Sequence, residues 1–169
     1  MRLIRTVAAA TALALGLAAS PVLANAASLS QDDAAYLQTA IQTQLGRYAI
    51  GSLAQNRATN DSLKTMAKKM ATQSNSDTKI LSQIAKQSGV NPPSKPTLTA
   101  TYHYSNISSL KGADFNKQFA KSVLIDDQEA LDASQQEAKS GSDPQLKAYA
   151  QKRESDLQNE IKTIQKFTS

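Results

Sequence analysis

The chain has 169 residues, one histidine, no cysteine and no tryptophan, with 19 basic against 14 acidic side chains. Without a thiol it can form no disulfide, carry no lipid on an N-terminal cysteine and use no thiol nucleophile. Aromatic residues make up only 5% of it, and its lysines alternate with acids rather than forming a block, so a solvated surface is expected and a nucleic-acid footprint is not.

The N-terminus reads "MRLIRTVAAATALALGLAASPVLANAAS". Arg2 and Arg5 make a basic start, an apolar run from Thr6 to Ala19 follows, and Ala24-Asn25-Ala26 supplies small residues at the cleavage positions, the layout of a secretory signal peptide. The apolar run is too short for a comfortable membrane span and ends before Pro21. Cleavage after Ala26 is expected. Taking Arg2 and Arg5 from the basic count leaves 17 basic against 14 acidic residues in segment 27–169, a mild net +3. That segment contains no further transmembrane run and is long enough for one domain, which at this size buries roughly 68–70% of its unfolded surface.

Four long helical segments follow. From Gln31 to Ala58, Leu37, Ile41, Leu45 and Tyr48 share a face, and Asp32 and Asp33 sit favourably in the first turn. After the short link "ATND", Asn60 or Asp61 caps a second helix to about Ser88, stopped by Gly89, with Leu63, Met66, Met70, Leu81 and Ile84 as its stripe. The stretch "GVNPPSKPTLTATYHYSNISSLKG" holds Pro92, Pro93 and Pro96 and shows no regular period, so a long non-helical crossover is expected, with no regular hydrogen-bonded ladder over 91–106. Its His103, alone in that loop, is expected in solvent. Tyr102, Tyr104 and Ile107 are the candidates for an exposed apolar stripe, or for a cover over one end of the core.

A third helix, from about Ala113 to Lys139, uses Phe115, Phe119, Val123 and Ala130. Asp143 as cap and Pro144 at the first helical position start a fourth, running on Leu146, Tyr149, Ala150, Leu157, Ile161, Ile164 and Phe167. Short, long and short connections between four helices of about 25 residues match an all-α, ferritin-like four-helix bundle of two hairpins joined by one crossover. A plain up-and-down bundle is the alternative.

Polar residues interrupt every stripe. Ser74 and Asp77 lie between Met70 and Leu81; Arg153 and Glu160 share the face of Leu146, Leu157 and Ile164; Asp126 and Asp127 bracket that of Val123 and Ala130; Gln44 and Arg47 fall on or beside that of the first helix. All lie near mid-length, so a bundle would bring them to one height as a polar layer in an otherwise apolar core.

The framework resembles the bacterial family of exported ferritin-like proteins of unknown function, often labelled predicted outer-membrane proteins. The matching stretches are Arg47-Tyr48-Ala49-Ile50-Gly51-Ser52-Leu53-Ala54, Met70-Ala71-Thr72-Gln73-Ser74, Phe115-Asn116-Lys117-Gln118-Phe119 leading to Asp127, and Leu157-Gln158-Asn159-Glu160-Ile161. They cover nearly all of segment 27–169. By that resemblance the family's glutamate falls on Arg47, and its three histidines fall on Ser74, Asp127 and Glu160.

Bundles of this kind hold metals with inward carboxylates and Glu-x-x-His pairs, and the chain contains no Glu-x-x-His. The carboxylates of Asp77, Asp126, Asp127 and Glu160 would suit Mg²⁺, Ca²⁺ or Mn²⁺ rather than zinc. Arg153 opposes that reading, because a guanidinium can fill the electrostatic role of a metal among carboxylates. An Arg-carboxylate network, rim residues reaching water and an oxygen-ligated cation are the three readings of Arg47, Ser74, Asp77, Asp126, Asp127, Arg153 and Glu160.

No nucleophile elbow, phosphate loop or dinucleotide fingerprint occurs, and adjacent Asp126 and Asp127 point about 100° apart on a helix and make no acid-base dyad. The sequence is read as an exported, non-catalytic binding or envelope-associated protein with no cofactor and a protein or envelope partner. A metal-binding or redox bundle is the alternative, and an oligomeric structural protein a third class.

Overall fold

The computed structural model describes residues 28–168, so the signal-peptide reading lies outside the described residues. It contains five α-helices and, among the described residues, no strand: α1 (Gln31–Arg57), α2 (Asp61–Gln87), α3 (Leu98–Ser108), α4 (Gly112–Ser140) and α5 (Pro144–Ile164), the last closed by a 3₁₀ turn, Gln165–Phe167. None of these helices is long and apolar enough to cross a membrane.

The ends follow local chemistry. Ser30 Oγ accepts from the Asp33 amide at 3.1 Å, Asn60 Oδ1 from Leu63 at 3.1 Å, and Asp143 Oδ1 from both Gln145 and Leu146 at 2.9 Å, each satisfying first-turn N–H groups that a helix leaves unpaired. Gly89 takes a left-handed φ of 71° after α2, letting the Val90 amide reach the Ala85 carbonyl at 2.8 Å.

The crossover differs from its expectation. Asn91 to Thr97, with the three prolines, carries no helix, but from Leu98 to Ser108 the chain is α3, whose Thr97 cap accepts from the Ala100 amide at 3.0 Å. Proline acts only on its own position and the one before it, so the eleven residues after Thr97 are free to coil. Ala100, His103 and Ile107 face inward at helical spacing. The ladder expected to be absent over 91–106 is therefore present from 98, and Ile107 is in the core while Tyr102 and Tyr104 stay exposed.

Helix directions follow from cross-contacts. Asp33 meets Ser142 and Asp143, Arg47 meets Asp127, and the Thr59 amide meets Asn116, so α1 and α4 are antiparallel. The short links make α1 and α2, and α4 and α5, antiparallel pairs as well. Hence α1 and α5 run one way and α2 and α4 the other, with α3 laid across α1 and α4. Gly46 makes that crossing possible, since a Cβ there would collide with the Ala100 side chain, and a Cβ on Gly51 would stand 2.9 Å from the Ala67 carbonyl of α2.

Two apolar clusters occupy the two ends. One gathers Ile50, Ala54, Leu63, Phe115, Phe119 and Ile164, the other Leu37, Ile41, Leu81, Ile84 and Leu146. The inward stripe of α1 steps through Leu37, Ile41, Gln44, Arg47, Gly51 and Ala54, all buried. Tyr48, expected on that stripe after Leu45, is 48% exposed, because the stripe steps three residues from Ile41 to Gln44 and three more to Arg47, where a step of four to Leu45 was expected.

Asp33, at the outer end of the second cluster, is buried and accepts from the Ser142 and Asp143 amides at 2.9 and 3.1 Å, tying the α4–α5 turn to α1. Burial raises its pKa, but these hydrogen bonds outweigh that and hold it below the usual carboxylate value. Beside it Glu137 is pushed from 4.5 to about 7, first by burial and then by the charge of Asp33. A carboxyl that holds its proton more tightly when folded supports the fold at low pH, and that support is lost as pH rises from its unfolded value through about 7. Glu137→Gln is therefore expected to match the parent in thermal stability at pH 4 and to exceed it at pH 8. Equal melting temperatures at pH 8 would show that Glu137 ionises without cost.

Candidate functional site

Between the two apolar clusters lie the polar residues of all four long helices. Each is buried, or in the case of Glu160 half-buried, for the same local reason: it occupies a step of an otherwise apolar stripe. Arg47 follows Ile41 and precedes Ile50 on α1, Ser74 and Asp77 lie between Met70 and Leu81 on α2, Asp127 follows Val123 on α4, and Arg153 and Glu160 flank Leu157 on α5. Asp127 has no exposed surface, Arg153 keeps 2%, and the Glu160 side chain keeps 11%.

Arg47 is the hub. Its Nη1 donates to Asp127 Oδ1 and its Nη2 to Glu160 Oε2 at 2.5 Å, so one guanidinium bridges α1 to both α4 and α5. Burial lowers its pKa and the Glu160 charge opposes this, yet a guanidinium stays protonated throughout the range of ordinary buffers. Arg153 approaches the same carboxylate, with Nη2 3.7 Å from Glu160 Oε2, an ion-pair distance too long for a hydrogen bond.

Asp77 belongs to a neighbouring network. Its Oδ1 accepts from Gln73 Nε2 at 2.7 Å, and its Oδ2 lies 3.4 Å from the Tyr149 hydroxyl, which in turn accepts from Gln44 Nε2 at 3.1 Å. Burial raises the Asp77 pKa, and the Arg153 charge works against that shift. Burial first, then the Asp77 charge, raises the Tyr149 phenol above its ordinary value, so it stays protonated and able to donate. Asp77 and Arg153 make no ion pair: a side-chain amide and a phenol take the carboxylate's oxygens instead.

Asp126 points elsewhere from Asp127, as adjacent helical positions require, and pairs with His103 of α3 at 2.9 Å. His103 is thus a buried residue, not one in solvent. Burial raises the Asp126 pKa, with the His103 contact lowering it in part. The spacing of Ala100, His103 and Ile107 was the available signal for this inward face, hidden by the prolines before it. Ser74 is buried with no hydrogen-bond partner for its hydroxyl and touches neither network through one.

A cleft of about 130 Å³ opens beside these networks between α1, α4 and the start of α3, reaching Tyr149 and Arg153 on α5. Tyr36 and Ser134 also line it, and the sequence does not mark them, because a polar residue on a helical stripe gives no sign of what it faces. Burial pushes the Tyr36 phenol up to about 12.

The donor set does not fit a metal. Two carboxylates that could converge on a cation, Asp127 and Glu160, are bridged by the positive Arg47, and among the described residues no three of His, Cys, Asp and Glu gather in ligating geometry.

Residues 18–167 match the family model described as "Domain of unknown function (DUF4142)". No curated protein matches the chain in sequence. Among solved structures, a protein from Streptomyces coelicolor described as secreted and as DUF305 superposes with a TM-score of 0.70 at 10% identity, over 79% of this chain and 88% of that one. At that identity the likeness concerns the all-helical fold alone.

Proposed function

The chain belongs to the family of the domain of unknown function DUF4142, and on that premise we propose an exported protein that works by binding, not by catalysis. In this reading residues 1–26 are a signal peptide, segment 27–169 is one ferritin-like domain, and the polar layer of Arg47, Ser74, Asp77, Asp126, Asp127, Arg153 and Glu160 stands where related bundles carry metal ligands. The helix directions, with α1 and α5 opposed to α2 and α4, and the long connection containing α3 support the ferritin-like arrangement. The secretory layout of the N-terminus and a fold neighbour described as secreted support export to the periplasm, or to the medium of a host without an outer membrane.

The observation that carries the non-metal reading is Arg47, hydrogen-bonded at once to Asp127 and Glu160. A cation entering between those carboxylates would have to displace a covalently tethered one. The protein is therefore expected to purify from its native compartment without stoichiometric iron, zinc or manganese and to leave ferrous iron unoxidised, as read by elemental analysis and a ferroxidase assay. One or two tightly held metal ions per chain would replace this reading with a metal-binding or redox one.

A further inference from the structure

Of the five α-helices, only α3 contains no Asp, Glu, Lys or Arg. Its inward face, Ala100, His103 and Ile107, is buried, yet its outward face is apolar as well: Leu98 is 90% exposed and Tyr102, four residues on, 65%. Tyr104 is exposed on one flank, where with Ala49, Leu53, Pro96 and Ala100 it lines an apolar groove between α1 and α3. Of the six large apolar side chains exposed among the described residues, three therefore fall on these eleven residues. A surface helix ordinarily turns a charged face to water, and a concentration of exposed apolar groups marks a surface that meets something else.

The charge around this face has one sign. From Gln87 to Ala113 there is no Asp or Glu, and Lys95 and Lys111, both exposed, stand just before and just after the helix. Of the α4 acids nearby, Asp126 lies behind the helix against His103, and Glu129 lines the cleft on the flank away from Tyr104.

We infer that the outward face of α3 docks on an anionic lipid bilayer, with Leu98 entering the acyl boundary, Tyr102 and Tyr104 at headgroup level, and Lys95 and Lys111 on lipid phosphates. The inference rests on the reading of the chain as an exported binding protein and names the partner. Tyrosine suits that level because its ring is apolar and its hydroxyl wet, and a lysine stem reaches from an apolar surface to a charged headgroup. At 1.5 Å per residue α3 is about 16 Å long, so it lies along the interface and does not span it. A second copy on this face would bring the lysines of two protomers together with no acid on the face to meet them. A surface of lipid phosphates complements them.

The test is flotation of the exported protein, after signal cleavage, with vesicles of phosphatidylglycerol and phosphatidylethanolamine in equal parts, against vesicles of phosphatidylcholine. Binding to the anionic vesicles that weakens with added salt is expected, with much less on phosphatidylcholine. Lys95→Gln and Lys111→Gln should each weaken it by about fivefold at low salt. Leu98→Ser combined with Tyr102→Ser should weaken it by about tenfold or more, with the helical dichroism unchanged because both side chains stand outside the core. The chain has no tryptophan, so Leu98→Trp supplies a fluorescence probe whose emission should shift to the blue on anionic vesicles, while Ile80→Trp, on α2, should not shift.

Absence of vesicle binding by the folded parent would overturn the inference, as would equal binding to phosphatidylcholine, binding indifferent to the loss of Leu98 and Tyr102, or a blue shift at position 80 alone. A dimer in vesicle-free solution that the same double substitution breaks, read by analytical ultracentrifugation, would overturn it in favour of a second copy. A metal-free protein that binds no vesicles would leave the non-metal reading standing and remove only this one, whereas metal-loaded protein would count against the non-metal reading alone.

Discussion

Arg47→Met is expected to lower the unfolding free energy by about 3–5 kcal/mol, the usual cost of leaving buried charges without their partner. Two carboxylates lose their counter-ion at once: Asp127, with no exposed surface, and Glu160, whose other cation, Arg153, stands too far off to hydrogen-bond. Against a domain stability of about 5–15 kcal/mol, a loss of that size leaves a marginal protein at physiological temperature.

The same substitution combined with Asp127→Leu and Glu160→Met should recover most of the loss, because packed apolar side chains of similar volume often equal or exceed a buried ionic group in stability. A cycle of Arg47→Met and Asp127→Leu, followed by denaturant unfolding, should give a coupling of about 1–3 kcal/mol. Single effects below about 0.5 kcal/mol that simply add would mean that these side chains reach water and that no network exists.

Phe119→Ala should cost about 3–5 kcal/mol by the large-to-small rule for aromatic core residues. The ring has no exposed surface and stacks on that of Phe115, with centroids 6.1 Å apart and planes 8° from parallel. Both rings belong to the apolar cluster that includes Ile50, Ala54, Ala58 and Ile164. Chemical unfolding of the variant measures the loss, and a change below about 1 kcal/mol would show that the first cluster collapses around the missing ring. Tyr48→Ala, on a residue 48% exposed, serves as the control and should change stability by less than about 0.5 kcal/mol.

Both substitutions test parts of the chain that differed in how plainly they could be read. Phe119 was legible because Phe115, Phe119 and Val123 recur at helical spacing, and such a stripe has one stable destination. Arg47 was only marginal, because on an ideal wheel Tyr48 continues the stripe of Leu37 and Ile41 as well as Arg47 does. A difference of one residue in the step from Ile41, to Gln44 and not to Leu45, decides which turns inward, and the close approach of α1 to α2 at Gly51, and to α3 at Gly46, sets that rotation.

The sequence by itself determined the local features: the starts of α1, α2 and α5 at Ser30, Asn60 and Asp143, the stop at Gly89, the all-helical class, and the positions at which polar residues enter apolar stripes. Each of these depends on residues within a turn or two of one another, where backbone hydrogen bonding and side-chain period act directly. Only the tertiary structure decided partnership. It gave Asp77 to Gln73 and Tyr149, Arg47 to Asp127 and Glu160, and Asp126 to a histidine on a helix that the prolines concealed, while leaving Arg153 at ion-pair distance from Glu160. Most of those pairings join residues 23 to 113 positions apart, as Asp126 with His103 and Arg47 with Glu160 do, and a charge on a helical stripe carries no mark of which distant charge will meet it. Helix rotation and crossing settle that, and they follow from the packing of all the helices together.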